Sequence, residues 1–200
     1  VSEGAIWRRE HLPEMCYCTS VSGRSEQDYN TLSFTVSPDV PEPTSARATT
    51  MSSACGVCGV DSIDEVRRST HFPLGPAEPV ITSDVLLGLP DRLRGRQKLF
   101  DKTGGVHAAG LFSATGELIC LREDVGRHNA VDKAVGWALR EDRLPLGGTI
   151  LQVSGRASFE LVQKASMAGV PVLAAVSAPS SLAVDLAEEV GLTLVAFSRD

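Results

Sequence analysis

From Thr103 to the last residue the chain alternates short apolar runs with stretches of helical spacing, and this alternation constrains the fold more than any other feature. The apolar runs 107–112 and 117–121 are separated by Ala114-Thr115-Gly116, a hairpin-turn composition. Over 129–140, Ala130, Val131, Ala134, Val135, Ala138 and Leu139 share one helical face. Next come a buried-type strand at 149–153, a helix over 158–168 stopped by Gly169, and a strand at 171–176. A helix over 181–190 follows, with Gly191 as its C-cap, and a strand at 192–197 closes the series. Hairpin followed by three helix–strand units predicts an α/β fold: a three-layer mixed sheet with helices on both faces and the last three strands parallel.

The first hundred residues read differently. Residues 1–9 have the pattern of a helix end, and 30–36 alternates as a short strand. Residues 37–54 hold three prolines, many Ser and Thr and almost no large apolar side chain, so they cannot cover a core and read as an exposed linker. A short helix is expected over 62–68. Ser83 reads as an N-cap for an apolar-periodic segment to about Phe100, with Pro90 expected to break it. The expected division is 1–54, a partial N-terminal subdomain and linker packing on the main sheet; 55–102, a cysteine-motif loop with connecting helices; and 103–200, the α/β core.

Net charge is −6, the wrong sign for sequence-independent nucleic-acid binding. No apolar run reaches membrane-spanning length, so no membrane association is expected. The chain starts at Val1 without a basic n-region and apolar stretch, so its start reads as processed or truncated. Five cysteines, an odd number, argue against a disulfide scaffold and for a reducing, cytoplasmic setting. Cys120, between Ile119 and Leu121, reads as a buried small hydrophobe. Cys16 and Cys18 alternate on a strand or turn, where a local metal or redox role is conceivable.

Cys55-Gly56-Val57-Cys58-Gly59 carries the most chemistry. Half of a zinc site is one reading, although no second C-x-x-C or His pair follows it. A thioredoxin-like pair is another, although the motif follows a polar linker and not a strand. Sulfur relay is the third: an exposed thiolate takes a sulfane sulfur, stores it as a persulfide and gives it up. A tight turn with buried thiols is the fourth. Glycines at 56 and 59 permit positive φ and close approach by a partner surface.

Two further motifs lie between a strand and a helix. Residues 123–129 (EDVGRHN) and 154–158 (SGRAS) each combine glycine, arginine and a helix start, the ingredients of an anion-binding corner. Arg127 and Arg156 offer planar forks for phosphate, and His128 a ring nitrogen. Thr103-Gly104-Gly105-Val106-His107 is another glycine-rich turn, with His107 read as structural. The architecture resembles the cytidine deaminase fold, whose zinc chemistry uses H-x-E and P-C-x-x-C at successive helix starts. Here those positions read His128-Asn129-Ala130 and SGRAS, without the glutamate or the thiolates, which argues against deamination.

CGVCG, GGVHAAGL, EDVGRHNAVDK, SGRASFELVQKA with MAGVP, and AVSAPSSLAVDLAEEVGLTLVAFSRD together resemble the formate dehydrogenase accessory sulfurtransferases, the FdhD family, over residues 51–200. The resemblance implies a sulfur carrier with a persulfide on Cys55 and Cys58 as its partner. It implies a cysteine desulfurase as donor and a bis-molybdopterin guanine dinucleotide molybdenum cofactor as acceptor, destined for formate dehydrogenase. It implies that Phe197, Ser198, Arg199 and Asp200 contact the guanine dinucleotide, that no metal is stably bound by the protein itself, and that the protein is a homodimer. It further implies that both ends of the chain lie inside the family's length. A cofactor-binding chaperone without sulfur chemistry, and a zinc or redox C-x-x-C module, are the alternatives.

Overall fold

The computed structural model describes residues 1, 4–17, 32–40, 70–75 and 81–199. Cys18, the CGVCG motif, the helix expected over 62–68, most of the linker and Asp200 lie outside the described residues.

A two-stranded antiparallel ribbon pairs β1 (Glu14–Tyr17) with β2 (Leu32–Thr35). Two helices, α1 (Ser83–Arg94) and α2 (Lys98–Thr103), then lead into the core. There β3 (His107–Ser113), β4 (Leu118–Asp124), α3 (Arg127–Arg140), β5 (Thr149–Val153), α4 (Phe159–Met167), β6 (Val172–Ala175), α5 (Ser181–Val190) and β7 (Thr193–Val195) follow in order. The sheet order is β4-β3-β5-β6-β7; β3 is antiparallel to both neighbours, and β5, β6 and β7 are parallel. The predicted hairpin and the parallel run are therefore both present, and β4 runs in the same direction as β5.

The two faces of the sheet bury different layers because strand side chains alternate. Ala109, Leu111, Leu151, Val153, Leu173 and Ala175 pack under α3, α4 and α5. Ala108, Phe112, Ile150, Val172 and Ala174 pack on the other face with Leu89 and Leu93 of α1. Each fully buried Leu or Phe contributes about 1.5–3 kcal/mol. The three layers follow from this division.

Several local expectations are corrected. Among the described residues of 1–9 there is no α-helix; a 3-10 turn, Arg9–His11, stands there instead. Thr82, not Ser83, caps α1, its side chain accepting from Val85 N at 3.4 Å. Helix α1 runs through Pro90 and ends near Gly95; the break before α2 falls there, because the proline ring is buried with Leu89 and Leu93, which offsets its missing hydrogen bond. The last strand stops at Val195, since Phe197 turns to a positive φ of 52°. Helix α3 begins two residues earlier than its apolar spacing indicates. Val1 packs against the core, but both strands of the ribbon are exposed along their whole length.

Trp7 stacks on His71 at 3.6 Å between centroids, and His71 Nε2 lies 2.8 Å from Gly4 O, so the segment at 70–75 is tied to the N-terminal region. The same segment lines a cleft of about 420 Å³ with Pro145, Gly169 and Pro171, at the edge of the sheet where β5 and β6 begin.

Candidate functional site

The opposite edge gathers the residues singled out in the sequence. Because β4, β5, β6 and β7 run the same way, their carboxyl ends and the starts of α3, α4 and α5 share this edge. Backbone bonds zip the loops side by side: Ser154 N to Ala108 O at 3.0 Å, Ser180 N to Ala157 O at 3.0 Å, and Ser198 N to Ala175 O at 3.0 Å. Three helix N-termini, each with a partial positive charge, thus point to one place.

The EDVGRHN motif divides its labour. Glu123 accepts from Leu99 N and Phe100 N, both at 2.8 Å, and so caps α2 from across the sheet. Asp124 accepts from Gly126 N at 2.9 Å and Asn129 Nδ2 at 3.2 Å and pairs with Lys133 Nζ at 2.5 Å. The Lys133 bond, then the Gly126 N–H, hold its carboxyl at a pKa of about 2. These two acids shape the turn that leads into Arg127 and His128 at the start of α3. Arg127 opens α3, and its Cδ lies 3.8 Å from where a Cβ on Gly155 would sit; His107 Nδ1 lies 3.4 Å from the same point. Gly155 therefore brings the two strand-to-helix corners together.

His128 Nε2 is 3.1 Å from Ser158 Oγ and 3.0 Å from Glu160 Oε2. Two influences oppose each other at this ring. Burial lowers the His128 pKa, Glu160 raises it, and Arg127 lowers it further; burial wins and the net direction is down. The contact at neutral pH is thus a neutral imidazole N–H donating to a carboxylate, and not an ion pair. Ser158, the N-cap of α4, turns its hydroxyl to His128 and makes no side-chain cap bond to its own helix. His107 keeps its structural role: Ser154 Oγ, 3.5 Å from its Nδ1, accepts from Ala108 N at 2.9 Å.

At the end of β7, Phe197 is 65% exposed and Ser198 only 2%. Arg156 and Arg199 are exposed on the same edge. Of the residues expected to contact a cofactor, Arg127, His128, Arg156, Phe197, Ser198 and Arg199 come together here; Cys55, Cys58 and Asp200 lie outside the described residues. Sequence pattern alone does not single out Glu160 or Gln152. The one signal for Gln152 is a polar residue inside the apolar strand TILQV.

Cys120 is buried, and burial raises its thiol pKa, so it has the character of an inert core residue. Cys16 is exposed on β1. Among the described residues no group of three or more His, Cys, Asp or Glu side chains is placed to hold a metal. Among them, too, no helix is long and apolar enough to cross a membrane.

Fold and site define an α/β protein with half-buried Arg127, exposed Arg156 and Arg199, and three helix starts at the carboxyl edge of a mixed sheet. The FdhD/NarQ family model matches residues 1–200, and the chain belongs to that family. It is 54% identical to the Streptomyces coelicolor protein named Sulfur carrier protein FdhD, over the whole chain and 72% of the relative. It is 50% identical to the Mycobacterium tuberculosis protein of the same name, over the whole chain and 74% of the relative. A crystal structure from Desulfotalea psychrophila, named as a formate dehydrogenase accessory protein, superposes with a TM-score of 0.69 at 25% identity. That match covers 99% of this chain and 69% of the other.

Proposed function

We propose that this chain is a sulfur carrier in formate dehydrogenase maturation, a cytoplasmic sulfurtransferase that works as a homodimer. The observation that carries the reading is the family match over residues 1–200, with relatives of half-identical sequence named as sulfur carriers. Cys55 is the acceptor thiolate. It attacks the outer sulfur of a cysteine desulfurase persulfide; a new bond forms to Cys55 Sγ as the donor's S–S bond breaks, and the donor leaves as a thiolate. Attack of the Cys58 thiolate on Cys55 Sγ then releases hydrosulfide and leaves a Cys55–Cys58 disulfide, which a thiol reductant resets.

The substrate receiving the sulfur is a bis-molybdopterin guanine dinucleotide molybdenum cofactor, bound at the carboxyl edge before insertion into formate dehydrogenase. Arg127, Arg156 and Arg199 neutralise its phosphates, with the three helix N-termini adding to the field. Phe197 and Asp200 contact the guanine nucleotide, while Ser198, buried and bonded to Gln152, supports the segment between them. With Nε2 held by Ser158 and Glu160, His128 meets the ligand through Nδ1. Eleven residues, and so twelve chain steps, lie between Cys58 and Thr70 at the far edge. Such a stretch reaches up to about 40 Å, against about 17 Å for a five-residue strand. Chain length therefore permits the thiols to serve a ligand at either edge.

The strand order β4-β3-β5-β6-β7 with β3 reversed supports a cytidine deaminase-like assignment for 103–200. The division into 1–54, 55–102 and 103–200 belongs to the same proposal.

Intact-mass measurement after incubation with a cysteine desulfurase and cysteine tests the reading. One sulfur is added to the wild type, and the increment vanishes in Cys55→Ala. An undiminished increment in that variant rejects Cys55. Formate dehydrogenase activation that survives Cys55→Ala points instead to a chaperone without sulfur chemistry, and a stoichiometric metal in the purified chain to a zinc module.

A further inference from the structure

We infer that Gln152 is the positioning residue that sets the conformation of the C-terminal segment, acting through Ser198 to hold Phe197 outward. The inference rests on the reading that this segment contacts a guanine nucleotide.

Gln152 is fully buried at the centre of β5, between β3 and β6. Its neighbours on the strand are Ile150, Leu151 and Val153. An amide in such a place is strongly destabilising unless its polar atoms are bonded. Nε2 donates to Val153 O at 3.1 Å and to Ser198 Oγ at 3.2 Å, and Oε1 lies 3.5 Å from the same hydroxyl. Sequence separation across the second contact is 46 residues. The amide is thus a clip between the middle of the sheet and the segment after its edge strand.

The segment needs one. Phe197 adopts φ 52°, a left-handed value that costs energy for an aromatic residue, and its ring is 65% exposed, so burial cannot hold it there. What fixes it is bonding: Phe197 N donates to Ser177 O at 3.4 Å, Ser198 N to Ala175 O at 3.0 Å, and the Ser198 side chain is locked against Gln152. An exposed aromatic face held in a strained backbone, beside Arg199, suits stacking on a purine base with its phosphates on the cation.

The test uses the whole chain and guanosine diphosphate, with Gln152→Met (similar length, no donor), Ser198→Ala and the double variant, by calorimetry. Each single change weakens binding about tenfold, the effect of one lost hydrogen bond. The double variant is no weaker than the weaker single, because both remove the same contact. In parallel, amide exchange without ligand speeds up at Phe197 and Ser198 in both variants while Ile150 and Leu151 stay protected. Unchanged exchange at Phe197, affinity within twofold of wild type, or fully multiplicative effects would overturn the inference. Should Gln152→Met not fold, Ser198→Ala decides: unchanged exchange at Phe197 refutes the clip, and faster exchange supports it. If the wild type binds no guanosine diphosphate, the nucleotide reading of the segment fails, and the exchange arm still decides whether Gln152 holds it.

Discussion

Removing the carboxylate of Glu123 tests the claim that the strand-end motif spends its acids on architecture. Helix α2 is six residues long, and its N-cap residue Gln97 makes no side-chain cap bond. Helices this short do not persist without outside support. Glu123 supplies it by taking the N–H groups of Leu99 and Phe100, each at 2.8 Å. Loss of a single cap costs about 0.5–2 kcal/mol, and the carboxylate's interaction with the helix start adds about 0.3–1 kcal/mol. Partial solvent exposure of the Leu99 bond argues for the lower half of these ranges. Glu123→Ala should therefore destabilise the chain by about 1.5 kcal/mol, and Glu123→Gln, whose one amide oxygen can satisfy one of the two donors, by about 0.7 kcal/mol. Urea unfolding followed by circular dichroism reads the difference as a midpoint shift of about 1 M for Glu123→Ala, given slopes of roughly 1–3 kcal/mol/M. Amide exchange should accelerate at Leu99 and Phe100 first. A loss below about 0.5 kcal/mol, the usual scatter of surface substitutions, with unchanged exchange at both amides would refute the capping role.

Asp124, with a pKa near 2 against an ordinary 3.8, contributes stability that is present above 3.8 and lost as pH falls from there through about 2. Asp124→Asn should cost about 1 kcal/mol at pH 7 and nothing below pH 2, read from paired acid-unfolding curves; a pH-independent difference sinks the claim. Burial lowers the His128 pKa from 6.5, so the folded state binds fewer protons than the unfolded state just below that value, and stability falls as pH drops through it. His128→Gln should flatten the stability profile between pH 7.5 and 5 relative to wild type, and an unaltered slope counts against a neutral, Glu160-bonded imidazole.

The order of the core was legible in the sequence because apolar periodicity encodes burial directly. A strand buried on both faces, such as Thr149–Val153, reads as an apolar run interrupted by Gln152, and the helix that follows it shows its inward stripe. Helix stops at Gly169 and Gly191 were legible for a similar reason, since both carry positive φ, where a side chain is penalised. The arginines of the two corners could be placed on one edge because parallel crossovers send every helix start to the carboxyl ends of the strands. Where each helix began was less legible: Thr82 and Ser83 are both competent caps, and only the backbone chose between them. Pro90 misled for a related reason, since a local rule about proline does not know that the ring will be buried against the sheet.

Some facts had no local signature at all. That Glu123 serves a helix 23 or 24 residues earlier, that His128 shares one nitrogen with Ser158 and Glu160, and that Gln152 meets Ser198 are consequences of sheet order and loop juxtaposition. Sequence by itself determined which residues could be buried, where turns must fall, and that a C-x-x-C thiol pair precedes an α/β core, because these depend on properties of neighbouring residues. Tertiary structure alone decided which polar groups became partners, because a hydrogen bond depends on distance in space, and distances between remote segments exist only once the chain has folded.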